Sequence, residues 1–460
     1  MKTKKLCANT NNKGMGIYIH IPFCASKCGY CDFLSFEGAG VEAQEKYVQA
    51  LVAELRGARK ESTRQNSRNL HVVGAGSSRP LGIDPAHHGH NPQTPRFSTD
   101  ISSGREDPAP TKPQIDTVYL GGGTPTALHP HLLSKILQEI RHFNLSPDVE
   151  ITVEMNPITN AGNLLETLTT QGVNRLSIGL QAWQPHLLKT IKRAHWAQDF
   201  EETILAARAA GINNINVDLM FGLPGQTLAD WHETIANVLA HKPHHISAYS
   251  LTPAENTPIW DALETGNLTL PPEESDREMY HEAIRLFTEA GYTHYELSNF
   301  AKPGRESRHN VDCWTRKPYI GFGLGAHSFD GAARWHNTED MGRYLAGASC
   351  CLNKKPLAQH KTTSLAASGL GDSPKNHIRE DYEKLSTQDA MAETLILGLR
   401  MTAGISATEF YNQFGVHLAN CFGTQIEKLV TQGLLLHSSD RIALTPKGLD
   451  LANQVFEVFL

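Results

Sequence analysis

What this 460-residue sequence lacks removes several function classes at once. No apolar run approaches the roughly 20 residues that a bilayer-spanning helix needs, so no membrane span is expected. The lysines of MKTKK are followed by polar residues and not by the apolar stretch of a secretory signal, which makes the cytoplasm the expected compartment. Charge of neither sign dominates, with 42 Lys and Arg against 48 Asp and Glu. That balance offers no general attraction to nucleic acid or to an anionic membrane surface, and no nucleic-acid partner is expected. Eight cysteines in so long a chain are too few for a disulfide framework. Three of them nevertheless crowd into one short stretch.

What is present is an alternation of two patterns. GIYIHI (16–21), IDTVYL (115–120), VEITVEM (149–155), NRLSIGL (174–180), INVDLM (215–220) and HISAYSL (245–251) read as short strands. Between them, stretches such as LLSKILQEIRHF (132–143) and DFEETILAARAA (199–210) repeat apolar residues at helical spacing. Six strand–helix units imply an α/β fold with a parallel sheet, either barrel or open. Most polar motifs fall just after a strand, the end of a β/α barrel where catalytic residues gather.

The main domain is read as residues 16–335, behind an N-terminal tail of 1–15. Within it, residues 58–113 are rich in Pro, Gly, Ser and charge without any period. They read as a disordered or loosely packed insertion, with His87, His88 and His90 in a solvated loop rather than as ligands to metal or haem. Residues 336–386, including the loop-like stretch 353–384, read as a linker. From 387 to 460, two helical stretches and a hairpin around SSDR suggest a small α+β, winged-helix-like domain. It is not basic, which favours a packing role over DNA binding.

Cys24, Cys28 and Cys31 lie in CASKCGYC, on a loop that leaves the first strand. Structural zinc takes four protein ligands, normally as two separated pairs, and no second pair follows. A dithiol redox site needs only C-x2-C and leaves Cys24 unexplained. Three thiolates on an iron–sulfur cube leave one iron open to another ligand. GGGTPT (121–126) lacks the lysine of a P-loop; it makes a tight turn or lets a ligand approach bare backbone. Glu154 closes the third strand, as a ligand carboxylate or a solvated one. Asp218 lies within an apolar strand and needs a partner.

The C-x3-C-x2-C spacing resembles the signature of radical S-adenosylmethionine proteins. GIYIHIPFCASKCGYCDF, YLGGGTPT, RLSIGLQAW, NVDLMFGLPGQT, HISAYSLTP and YELSNFAKPGRESRHNVDCW follow in the order of the oxygen-independent coproporphyrinogen oxidase family. The resemblance implies a partial (β/α)6-type barrel and a [4Fe–4S] cluster on Cys24, Cys28 and Cys31, with S-adenosylmethionine on the fourth iron. It implies that Gly122, Gly123, Thr124, Glu154 and Gln181 contact S-adenosylmethionine, and that Arg193 takes its carboxylate. By the same mapping Asp218 meets the ribose hydroxyls, and Tyr18 and Tyr30 line the adenosine pocket. Thr252 occupies another contact position, though its residue type differs from the oxidase relatives.

Three features separate the chain from the oxidases of that family. Phe33 stands where they carry a fourth cysteine, and 23 residues precede Cys24 where they have a longer extension. HNVDCW (309–314) resembles the HN-x-x-Y-W motif of the family's haem-chaperone branch. This implies haem as cargo, an acceptor protein, soluble or membrane-bound, an electron donor, and His309 as haem ligand with Trp314 stacked on the porphyrin. Cys313 replaces the tyrosine of the motif and offers a thiolate or a redox-sensitive group. The alternative is the oxidase reaction, in which a 5′-deoxyadenosyl radical abstracts hydrogen from propionate side chains that are then decarboxylated.

Overall fold

The structure is a computed structural model and describes residues 14–72, 113–350 and 378–460. Six strands form its centre: β1 (Met15–Ile21), β2 (Ile115–Gly122), β3 (Leu145–Met155), β4 (Arg175–Gln181), β5 (Asn214–Phe221) and β6 (His245–Ser250). Each runs parallel to the next in chain order, so all six end on the same side. Outward-facing residues such as Ile19, Leu120, Val153, Ile178, Val217 and Ile246 are apolar and join the main core. Inward-facing positions carry Thr117, Tyr119, Glu154, Ser177, Asn216 and Asp218, as the two-residue period of a strand dictates.

The crossovers are the helices Val41–Val72, Pro130–Ile140, Gly162–Thr170, Ala197–Ala209 and Leu228–Ala240. Their boundaries are encoded locally. Thr227 Oγ1 accepts the Asp230 N–H (3.1 Å) while the Asp230 carboxylate accepts the Thr227 N–H (2.9 Å), a reciprocal cap before Leu228. Beyond β1 the sheet continues through Tyr319–Phe322, His327–Phe329, Ala333–Asn337 and Arg379–Lys384, and beyond β6 through Asn299–Ala301 and Thr293–Glu296. The result is a partial (β/α)6 barrel extended at both edges.

Two segments differ from expectation. Residues 58–72 complete the first helix instead of opening an irregular insertion. The stretch is polar but holds good helix formers, and extending an existing helix adds a hydrogen bond per residue without a second nucleation. Residues 73–112, with His87, His88 and His90, lie outside the described residues. The expected linker of 336–386 carries the helix Met341–Cys350 and the edge strand Arg379–Lys384, paired antiparallel with Ala333–Asn337. REDYEK is a solvent-facing edge, so it has no apolar alternation to betray it. Residues 351–377 of this segment lie outside the described residues.

The C-terminal domain is winged-helix-like, with its own core around Leu395, Phe410, Leu429 and Val455. Helices Thr387–Arg400, Ala407–Phe414 and Leu418–Thr431 accompany a three-stranded sheet in the order Ile405–Ser406, Arg441–Leu444, Leu435–His437. It is clamped to the barrel side by Glu393, which accepts from Arg316 Nε (3.0 Å) and Arg334 Nε (2.9 Å). Arg400 lies over the Trp314 ring at 4.3 Å, and the Thr402 N–H donates to the Tyr295 carbonyl (3.1 Å). Glu393→Ala leaves two guanidinium groups facing each other at this joint and is expected to cost roughly 3 kcal/mol. A lower unfolding midpoint with faster proteolytic release of the C-terminal domain checks this; an unchanged midpoint would show that the clamp contributes nothing.

Candidate functional site

The cysteine loop is held at several points. Phe23–Cys24 pairs with Phe36–Glu37, and the Lys27 N–H donates to the Glu37 carboxylate (3.0 Å). Gly29 donates to the Ile191 carbonyl and accepts from Ile259 N–H, both at 2.9 Å, which ties the loop to the helices after β4 and β6. Cys24, Cys28 and Cys31 are free thiols on a cavity of about 570 Å³ at the C-terminal ends of the strands. Tyr30, Gly122, Gly123, Thr124, Glu154, Gln181, Arg193, Asp218 and Thr252 line the same cavity.

Tyr18 does not line it. Its ring stands behind Tyr119, its register partner on β2, with centroids 6.4 Å apart, and its hydroxyl is 3.1 Å from His20 Nδ1. Tyr119, Asn156, Ser177, Met220 and Tyr249 reach the lumen without having been singled out in the sequence. Strand period was the available signal: Tyr119 lies two residues before Gly121 on one face of β2, and Asn156 two after Glu154. The glycines of GGGTPT also answer to the protein itself. A Cβ on Gly122 (φ 106°) would stand 2.4 Å from the His20 ring, and one on Gly123 would stand 2.7 Å from the Phe23 carbonyl oxygen. Gly123 and Thr124 N–H groups donate to the Ile21 and Phe23 carbonyls (2.8 and 2.7 Å), which laces the turn to the start of the cysteine loop.

A chain of contacts joins two of the cysteines across the cavity wall. Arg193 Nη1 donates to Cys28 Sγ (3.1 Å) and its Nη2 to Asn156 Oδ1 (2.6 Å). Asn156 Nδ2 donates to Thr124 Oγ1 (3.2 Å), which lies 3.6 Å from Cys24 Sγ. Arg193 Nε is buried and has no acceptor among the described residues. Burial raises the Cys31 thiol above its ordinary value. Burial also pushes Glu154 up to about 7, against the lowering effect of the Tyr119 hydroxyl that donates to its Oε1 (2.7 Å). Gln181 takes a left-handed backbone (φ 72°) at a register shift between β4 and β5, a strained geometry of the kind that concentrates at functional sites.

Beneath the cavity, several of the inward side chains satisfy one another. Asp218 accepts from Ser177 Oγ (2.9 Å) and Asn216 Nδ2 (2.8 Å), which supplies the partners that its burial requires. Asn216 Oδ1 is 2.6 Å from His245 Nδ1, and His245 Nε2 is 2.8 Å from the Tyr295 hydroxyl. That hydroxyl accepts the Ser307 N–H (3.3 Å), immediately before the helix Arg308–Trp314.

His309 belongs to this floor and not to the cavity. It is 6% exposed, with Nδ1 2.9 Å from Thr117 Oγ1 and its ring stacked on Tyr119 at 5.2 Å. Burial, with Arg175 nearby, pushes its pKa down to about 4, so the imidazole is neutral. The motif helix turns His309 into the barrel because Glu150 accepts the N–H groups of Arg308 (3.4 Å) and His309 (3.3 Å). Trp314 has one face taken by Arg400, and burial pushes the Cys313 thiol up to about 12, away from a thiolate. At the N-terminal ends of the strands a second cleft of about 760 Å³ is lined by Asp148, Glu150, Glu306, Asp312, Arg305, Arg308 and Lys317 among others. Its charged walls are a poor match for an apolar macrocycle.

Two family profiles match the chain: the Radical SAM superfamily over residues 109–238 and the HemN C-terminal domain over residues 385–451. The heme chaperone HemW of Bacillus subtilis (strain 168) is 32% identical over 447 residues, which are 96% of this chain and 98% of that one. The chain belongs to the HemW family. The HemW protein of Escherichia coli (strain K12) is 27% identical over 97% of this chain and 98% of its own. The Mus musculus protein named radical S-adenosyl methionine domain-containing protein 1, mitochondrial, is 28% identical over 91% of this chain and 81% of that one. Among solved structures, the radical SAM enzyme coproporphyrinogen III oxidase (HemN) of Escherichia coli shares the fold, with a TM-score of 0.71 at 19% identity over 97% of this chain and 90% of that one.

A Radical SAM domain brings a [4Fe–4S] cluster and S-adenosylmethionine with it, and the residues present suit both groups. Among the described residues, no three His, Cys, Asp or Glu converge on a point where one metal ion would sit. A four-iron cube requires something different, a thiolate for each of three separate irons. The unmatched Nε of Arg193 is a buried donor waiting on an anion beside those thiols. The close lacing of this HemW-family turn is open to test. Gly123→Ala would force a Cβ against two backbone carbonyls, and a destabilisation of about 1–3 kcal/mol is expected. Faster labelling of Cys24 by a thiol reagent checks that the loop loosens; unchanged labelling would uncouple the turn from the loop.

Proposed function

We propose that the chain is a haem chaperone: it binds haem and passes it to an acceptor protein without oxidising coproporphyrinogen. In this reading it carries a [4Fe–4S] cluster on Cys24, Cys28 and Cys31 together with S-adenosylmethionine, and draws on an electron donor. Similarity over nearly the whole chain to proteins named heme chaperone HemW carries the proposal. Phe33 supports it. Its ring lines the mouth of the cavity, 63% exposed, at the position that gives the oxidase motif a further cysteine. A phenyl ring has no donor atom for iron and offers instead an apolar rim.

The cavity residues divide the work of holding the cofactors. Arg193 is always charged and presents a planar fork suited to a carboxylate. Glu154 would accept from the amino group of S-adenosylmethionine through its second oxygen while Tyr119 keeps the first. Asp218, steadied by Ser177 and Asn216, accepts from hydroxyl groups. Tyr30, Met220 and Tyr249 give the lumen an apolar and aromatic wall. The cluster that Cys24, Cys28 and Cys31 would hold would supply one-electron reduction at this cavity. His309 is the candidate haem ligand of the HNVDCW motif; from its seat in the barrel floor it serves iron only after the helix Arg308–Trp314 unseats. The oxidase reading is favoured by one observation, the intact set of cavity residues around the three cysteines.

The deciding experiment is anaerobic reconstitution followed by parallel haem titration and coproporphyrinogen turnover. Stoichiometric haem binding, transfer to an apo-acceptor and no protoporphyrinogen are expected; appreciable turnover would establish the oxidase instead. Alanine at Cys24, Cys28 or Cys31 is expected to abolish cluster absorbance. S-adenosylmethionine affinity, measured by equilibrium dialysis, is expected to improve as pH rises through about 7 and Glu154 ionises. Tyr119→Phe removes a donor that favours the charged carboxylate, so the midpoint moves upward by about one unit. An unmoved midpoint would dissociate Glu154 from binding.

A further inference from the structure

Arg175 opens β4 and faces the barrel axis two residues below Ser177. It is 1% exposed. No ion pair or hydrogen bond joins its guanidinium to any described residue, and its Nε is enclosed without an acceptor. A buried lysine escapes such a position by losing its proton, but arginine has no neutral form to adopt near neutral pH. An isolated buried charge is among the costliest arrangements a protein can hold.

No described group around it pairs with it directly. The groups that feel its field are the imidazoles of His245 and His309, the phenols of Tyr119 and Tyr295, and the carboxyl of Glu154, which the Tyr119 hydroxyl engages. The carboxylates of the neighbouring strand are engaged elsewhere: Glu154 with the Tyr119 hydroxyl, and Glu150 with the N–H groups of Arg308 and His309.

Independent donors are also left over in the same floor. Thr152, the register partner of Arg175 on β3, is fully buried with no partner for its hydroxyl among the described residues. Ser307 is fully buried too; it precedes the helix Arg308–Trp314 without capping it through its side chain, and its hydroxyl has no partner. Its backbone meets Tyr295, one of the phenols beside Arg175. A buried guanidinium without a direct partner, beside unpaired hydroxyls, suits an anion.

We propose that the barrel floor binds a small monovalent anion of halide size, held by Arg175 with the hydroxyls of Thr152 and Ser307. The ion joins β3, β4 and the start of the motif helix beneath the cofactor cavity. It is independent of the haem reading.

The probe is bromide. Crystals of the full-length protein grown in sodium bromide are expected to show an anomalous peak beside Arg175. Ordered water alone at that point, or Glu150 turned onto the guanidinium, would overturn the proposal. In solution, the unfolding midpoint of the purified protein in bromide, relative to gluconate at equal ionic strength, is expected to rise by about 2 °C per tenfold excess of bromide over its Kd. Arg175→Met keeps length and removes charge, and is expected to abolish that dependence. Thr152→Val, nearly isosteric, is expected to weaken bromide binding several-fold and carries the test if Arg175→Met does not fold. An equal bromide response in the wild type and in the folded variants would overturn the proposal.

Discussion

The amide of Asn216 is the joint on which the barrel interior depends. Its nitrogen donates to Ser177 and Asp218, and its oxygen lies against His245 and Ser247. A parallel barrel turns every second residue inward, and here those positions are polar although solvent is excluded. Most such groups find a partner among their neighbours, Arg175 Nε and Thr152 Oγ1 being exceptions among the described residues. Asn216 satisfies the set by donating upward and accepting from below. Asp218 is consequently fixed at the cavity and Tyr295 at the floor by one residue between them. A side chain of similar size without both functions would strand partners at both ends.

A second chain of contacts runs along the cavity wall, from Cys28 through Arg193, Asn156 and Thr124 to Cys24. The two systems meet at Tyr119, which donates to Glu154 above and stacks on His309 below. The residues suited to S-adenosylmethionine and the histidine of the haem-chaperone motif thus share a side chain. They do not share a cavity. That arrangement separates the two cofactor questions physically while leaving them in contact through one ring.

Much of this was legible in the sequence, for identifiable reasons. The six strands are apolar on their outer faces because they pack under helices, and that pattern survives in one dimension. The cavity residues follow the strands because parallel strands end together. Tyr18 misled because it and Tyr119 are the same residue type in register on adjacent strands, and only the local packing decides which ring reaches the lumen. The glycines after β2 were recognisable as a close approach, but what approaches them, His20 and the Phe23 carbonyl, is a tertiary fact. HNVDCW named a residue without naming its direction. The direction is set by Glu150, more than a hundred residues earlier in the chain. The segments 58–72 and 379–384 escaped because polar helices and solvent-facing edge strands leave no hydrophobic period.

Trp314 is covered by Arg400, a residue made later by the ribosome. At roughly 5–20 residues per second, the intervening stretch of chain takes on the order of ten seconds to appear. The barrel strands and the motif helix are complete before their cover exists. The helix that ends in Trp314 therefore spends the first seconds after its synthesis without that cover, and a domain made later supplies it.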